Sequence, residues 1–93
     1  MANIKAYSIK VFGRVQGVGF RYFTRKQAQS LDLRGTVRNH EDGSVEIFAC
    51  GEQDALLKFI EWCQDGPDTA TVEQVESVPV TVEKHNDFRI VRV

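Results

Sequence analysis

The stretch that most constrains this chain is Val11-Phe12-Gly13-Arg14-Val15-Gln16-Gly17-Val18-Gly19-Phe20-Arg21. It joins an alternating apolar run to a helical pattern through a loop with three glycines. Glycine accepts φ > 0 and has no Cβ to block a ligand, so successive N–H groups can turn inward as an anion-binding nest. The loop leads into a helix start, where unpaired N–H groups and the positive dipole end also favour an anion. Arg21 falls in that first turn, and a guanidinium can fork onto two oxygens of one phosphate. Together Arg14, Val15, Gln16, Gly17, Val18, Gly19 and Phe20 read as an oxyanion cradle, with one fixed positive charge at Arg21. On glycine spacing alone, a tight corner that binds nothing fits equally well. A P-loop is excluded because Phe20-Arg21, not Lys-Ser/Thr, follows Gly19. A dinucleotide fingerprint is excluded because position 22 is Tyr22, and the chain is too short for a doubly wound domain.

A chain of 93 residues makes one domain, residues 1–93. A net charge of −1 gives no electrostatic case for nucleic acid or an anionic membrane. No apolar run approaches a membrane span, and the N-terminus lacks a secretory apolar segment, so a cytoplasmic location is expected. Cys50 and Cys63 form no metal-ligand pattern and read as small buried hydrophobes.

Periodicity predicts a strand over 5–12 with Tyr7, Ile9 and Val11 on one face. A helix follows from Phe20 and fades near Asp32; Phe20, Phe23, Ala28 and Leu31 are its expected buried stripe. Strands over 35–39 and 44–50 form a hairpin through the turn chemistry of Glu41-Asp42-Gly43. A second helix over 52–64 buries Leu56, Phe59, Ile60 and Cys63 and stops before Pro67. A strand over 71–78 alternates imperfectly, which predicts a bulge, and a short strand over 87–91 closes the chain. This order is the split βαβ, ferredoxin-like arrangement of the α+β class: an antiparallel sheet, two helices on one face, and an extra C-terminal strand. Right-handed crossovers place the first and third strands centrally.

The residues from Val11 to Arg21, with Val15-Gln16-Gly17-Val18 and Phe20-Arg21, resemble the first signature of the acylphosphatases. A second signature of that family follows in Gly35-Thr36-Val37-Arg38-Asn39, through His40-Glu41-Asp42 to Gly43-Ser44-Val45 and Gly51. One departure is Thr36, where the family usually has an aromatic residue; its effect is expected in the packing beside the site. The resemblance implies the same ferredoxin-like fold and metal-independent hydrolysis of acyl phosphates. It also implies that Arg21 and the loop N–H groups hold the phosphoryl group while Asn39 orients the attacking water. The family's domain also occurs within larger proteins; this chain is expected to stand alone, as a monomer.

Chemistry supports that assignment independently. The carboxamide of Asn39 is no strong base, but it can hold a water in line with a phosphorus atom. Neither signature supplies a general acid, a nucleophile paired with a base, or a carboxylate cluster for Mg²⁺. Such a site cannot expel an alkoxide. An acyl phosphate expels a carboxylate, whose conjugate acid has a pKa of about 4, so no acid is needed. The expected partners are therefore a small-molecule acyl phosphate and its product inhibitor, inorganic phosphate, with no cofactor, metal, nucleic acid or membrane. A non-catalytic phosphate-sensing domain is the alternative; it would need Arg21 and the glycines but not Asn39. An RNA-recognition role would require exposed aromatics on the central strands. Among lesser polar residues, Arg14 reads as pointing to solvent, Gln16 as bracing the loop, and His40 and His85 as solvated. Arg25, Lys26, Arg34 and Arg38 read as a basic face, with Arg38 available to attract an anion.

Overall fold

Alternation along the first strand sets the frame: Ile9 and Val11 are buried, while Lys10 between them and Phe12 after them are half-buried. The computed structural model describes residues 3–92. Its elements are β1 (Ile4–Arg14), α1 (Phe20–Ser30), β2 (Arg34–Asn39), β3 (Val45–Glu52), α2 (Gln53–Asp65), β4 (Thr71–Pro79) and β5 (Phe88–Ile90). The strands form one sheet in the order β4-β1-β3-β2-β5. As expected, β1 and β3 are the central pair of the four-strand ferredoxin-like core. The bulge falls on β4, where Glu73 is the extra residue between the partners of Phe12 and Gly13.

β1 and β2 are each antiparallel to β3, hence parallel to one another, so their C-terminal ends lie on one edge of the sheet. The expectation of an antiparallel sheet needs one correction. β5 pairs with β2 in parallel, Gly35 opposite Phe88 and Val37 opposite Ile90, so the sheet is mixed. The chain reaches that edge by crossing the sheet's second face: His85 packs on Phe48 with ring centroids 5.2 Å apart, and the Cys50 thiol meets the Glu83 carbonyl at 3.8 Å. His85 is thus half-buried against an aromatic ring rather than free in solvent.

The core lies between the sheet and the two helices, where Ile9, Val11, Val37, Val45 and Ile47 meet Phe20, Leu56 and Phe59. α2 buries Leu56, Phe59 and Cys63 as expected. α1 differs: its buried line is Phe20, Thr24 and Ala28, at four-residue spacing, and Phe23 is 40% exposed. At one hundred degrees per residue a strict i, i+4, i+8 line needs only a narrow stripe, and Phe23 falls on the flank of that stripe.

Gly35 marks the closest approach within the sheet. A Cβ there would stand 1.8 Å from the Phe48 carbonyl oxygen, at a φ of +145°. Gly35→Ala is therefore expected to destabilise the fold by about 3 kcal/mol or more, from backbone strain and overpacking of about 1–3 kcal/mol each. The check is a urea titration read as a drop in midpoint at constant slope; an unchanged midpoint would mean that β2 can shift away from β3 at no cost.

Candidate active site

Period-two alternation along β2 places Gly35, Val37 and Asn39 on the helix-covered face and Thr36 and Arg38 on the other. Asn39 therefore turns toward the layer that contains the start of α1. That helix begins at Gly19, whose φ of 79° and ψ of 13° only glycine adopts at little cost. No side chain caps the helix start, and its first turn carries no acidic residue. Its first N–H groups and its positive dipole end are thus left for an external anion.

A cavity of about 130 Å³ opens at this point, lined by Val15, Gly17, Gly19, Phe20, Arg21, Tyr22, Asn39, Ile90 and Arg92. The opening is bounded by the loop, the start of α1 and the ends of β2 and β5, and it can admit a phosphoryl group. Arg21 is half-buried, and among the described residues no carboxylate pairs with it. The Oδ1 of Asn39 is buried and accepts no hydrogen bond from the described residues. A buried acceptor left unsatisfied costs about 1–3 kcal/mol, which a donor entering the cavity would recover. No group of three or more His, Cys, Asp or Glu among the described residues could hold a metal ion.

Of the sequence-designated residues, the structure brings Val15, Gly17, Gly19, Phe20, Arg21 and Asn39 to one cavity. Gln16 and Val18 of the loop do not line it, nor does Arg14, which the structure places at the end of β1 opposite Thr71 instead of in the loop. Arg14 is exposed. Gln16 braces the loop, donating its two amide hydrogens to the carbonyls of His40 at 2.7 Å and Ser44 at 2.9 Å. One side chain thus ties the cradle to the turn that follows Asn39 and sets the spacing between the two halves of the site. Val18 accepts a hydrogen bond on its carbonyl from the Thr69 hydroxyl at 2.6 Å.

Tyr22, Ile90 and Arg92 line the cavity too and were not among the site residues read from the sequence. Ile90 and Arg92 reach the cavity because β5 runs parallel to β2 and so ends beside Asn39. Thr36, by contrast, lies opposite Phe48 on the far face of the sheet, away from the cavity, so the family's aromatic position does not bear on packing beside the site. Arg38 is on that far face too, 3.4 Å from Glu46, and does not face the cavity.

The turn between β2 and β3 is held by Asp42. Its carboxylate accepts from the Ser44 hydroxyl at 2.5 Å and the Ser44 N–H at 2.9 Å, and it lies 3.0 Å from Lys10 Nζ. The Ser44 hydroxyl first, then the Ser44 N–H and Lys10, hold its pKa well below the carboxylate range. The same contact raises the pKa of Lys10. His40, still partly open to solvent, lies between Asp42 and Glu46, 3.0 and 3.3 Å from their carboxylates, and so forms part of the turn. A depressed folded-state pKa contributes stability above the unfolded value, near 3.8, that is lost as pH falls toward the folded value. Asp42→Ala is thus expected to lower the urea midpoint at neutral pH, with the gap to wild type closing below about pH 4. A gap that stays constant into acid would assign the turn's stability to shape instead of charge.

Comparison with known proteins gives one consistent result. The family model for acylphosphatase matches residues 7–90. An acylphosphatase of Vibrio parahaemolyticus is 44% identical over 88 residues, 95% of this chain and 98% of the relative. The solved acylphosphatase structure from Coxiella burnetii superposes with a TM-score of 0.93 at 42% identity, covering 96% of this chain and 94% of that one. The crystal structure of the Bacillus subtilis acylphosphatase gives 0.91 at 42% identity, covering 95% and 99%.

Proposed function

The chain belongs to the acylphosphatase family, and from that premise we propose that it hydrolyses acyl phosphates to a carboxylate and inorganic phosphate, with Arg21 and Asn39 as its catalytic residues. The support is the convergence of Arg21, the N–H groups at the start of α1 and the unpaired Oδ1 of Asn39 on one cavity.

The phosphoryl group enters the cradle with its equatorial oxygens toward Arg21 and the N–H groups of the Gly17–Phe20 backbone. Those donors are fixed before the substrate arrives, so they stabilise the negative charge of the transition state without reorganising. A water donates one hydrogen bond to Asn39 Oδ1, which aims its lone pair at phosphorus. The new O–P bond forms as the bond from phosphorus to the acyl oxygen breaks. The electron pair of the broken bond leaves on the carboxylate, and a water proton passes to a phosphoryl oxygen of the substrate. No side chain titrates in that sequence, so the rate is expected to show no enzyme pKa near neutrality.

All the named groups come from one copy of the chain, and the enzyme acts as a monomer. The two thiols are free and buried, and burial pushes Cys63 up to about 12; both fit a reducing cytoplasm.

The test is hydrolysis of benzoyl phosphate, followed by its absorbance, with a chelator present and inorganic phosphate as competitor. Turnover that survives the chelator and is competitively inhibited by phosphate is the expected result. Phosphate binding without turnover would move the chain to the anion-sensing alternative.

A further inference from the structure

We propose that the groove between α1 and the loop joining α2 to β4 is the subsite for the acyl end of the substrate, selecting aromatic and long aliphatic acyl phosphates. The proposal rests on the acylphosphatase reading. The donors that would hold the phosphoryl group, Arg21 and the loop N–H groups with Asn39 across from them, line one cavity, so the acyl end of the substrate extends beyond them. The groove beside it measures about 640 Å³ and presents mostly apolar surface, with Tyr22, Phe23, Trp62 and Pro67 among its walls. That size and lining are those of sites that take small organic groups.

Three contacts join the groove to the cradle. Tyr22 lines both spaces. The Phe23 ring lies over Gly19, 3.5 Å from where a Cβ would stand. On the opposite bank, the Thr69 hydroxyl donates to the Val18 carbonyl at 2.6 Å. The groove is thus built against Val18 and Gly19, two of the residues whose N–H groups hold the phosphoryl.

Exposure points the same way. Tyr22 is 48% and Phe23 40% exposed, and their rings meet edge-to-face at 5.2 Å. Two adjacent aromatics at the mouth of an anion site offer an apolar surface that the core does not use. Lys26, with Nζ 5.6 Å from the Tyr22 ring centre, keeps a positive charge at the rim. An acyl phosphate, apolar at one end and anionic at the other, matches that layout.

Non-hydrolysable mimics separate binding from intrinsic reactivity. Phenacylphosphonate and acetonylphosphonate differ only in the group on the ketone, and each is measured as a competitor of acetyl phosphate hydrolysis. The wild type is expected to bind phenacylphosphonate at least about tenfold more tightly, the scale of apolar pocket discrimination. Phe23→Ala should bring that ratio to within about twofold; using a ratio removes any effect on the cradle common to both. Ser30→Trp, at an exposed position in the groove, should weaken 2-oxodecylphosphonate while sparing acetonylphosphonate. A wild-type ratio near one, or ratios that neither variant moves, would overturn the subsite. A change in sedimentation with unmoved ratios would assign the groove to a second copy of the chain. Failure of the wild type to hydrolyse acetyl phosphate at all would defeat the acylphosphatase reading itself, a result distinct from every outcome above.

Discussion

Arg21→Ala is expected to lower kcat/KM for benzoyl phosphate by at least about 10³-fold, the lower end of what a single arginine contributes to phosphoryl transfer. The guanidinium is the charged group that the start of α1 brings to the cavity, where the helix's other donors are neutral N–H groups; the second cation there, Arg92, comes from beyond β5. No ion pair among the described residues engages Arg21, so its removal leaves no carboxylate unpaired and should hardly change the urea midpoint. Inorganic phosphate should cease to inhibit at concentrations that saturate the wild type. Arg21→Lys restores the charge without the planar fork and should recover only part of the loss. If phosphate still inhibits Arg21→Ala normally, the cradle alone binds the anion and the arginine acts elsewhere.

Asn39→Ala should separate the two halves of the site. Expected is a fall in kcat of about 10²–10³-fold, as for other single groups that act in the transition state, with the inhibition constant of phosphate nearly unchanged. The difference follows from position: Asn39 sits at the end of β2, whereas the phosphoryl donors sit on the loop and on α1. The change should not destabilise the fold, because the buried Oδ1 has no protein partner to lose. Asn39→Asp is informative as well, since it keeps an acceptor but adds a negative charge beside an anionic substrate. If the alanine variant loses phosphate binding and turnover equally, Asn39 belongs to the anion site and some other group holds the water.

Much of the site was legible in the chain. The glycines before Phe20 announce a loop that runs into a helix start, and the helix does begin at Gly19 with no side chain capping it. Gln16 was read as a brace, and it spans to His40 and Ser44. Other features were not legible. Phe23 was assigned to the core, yet Thr24 takes that place, because α1 packs on so narrow a stripe that one position decides burial. Asp42 reads as an ordinary turn residue beside His40 and Ser44, and only the pairing of β1 with β3 brings Lys10 to it as a third partner. Arg92 follows a strand too short to declare its direction.

What the sequence determined by itself is local: the order of strands and helices, the conformation of the cradle loop, and the kind of chemistry that an arginine and an amide can perform without an acid. These depend on residues within a few positions of one another, where period, glycine placement and side-chain type act directly. The tertiary structure alone decided which further residues line the site beside Asn39, which the sequence had already named. Strand pairing carried Asn39 to the edge where β1 ends, and the parallel approach of β5 brought Ile90 and Arg92 beside it. The physical reason is that a strand's ladder groups are the same whichever neighbour they meet. Direction and partner are therefore settled by the packing of the whole sheet and its helices, and no short stretch of sequence records them.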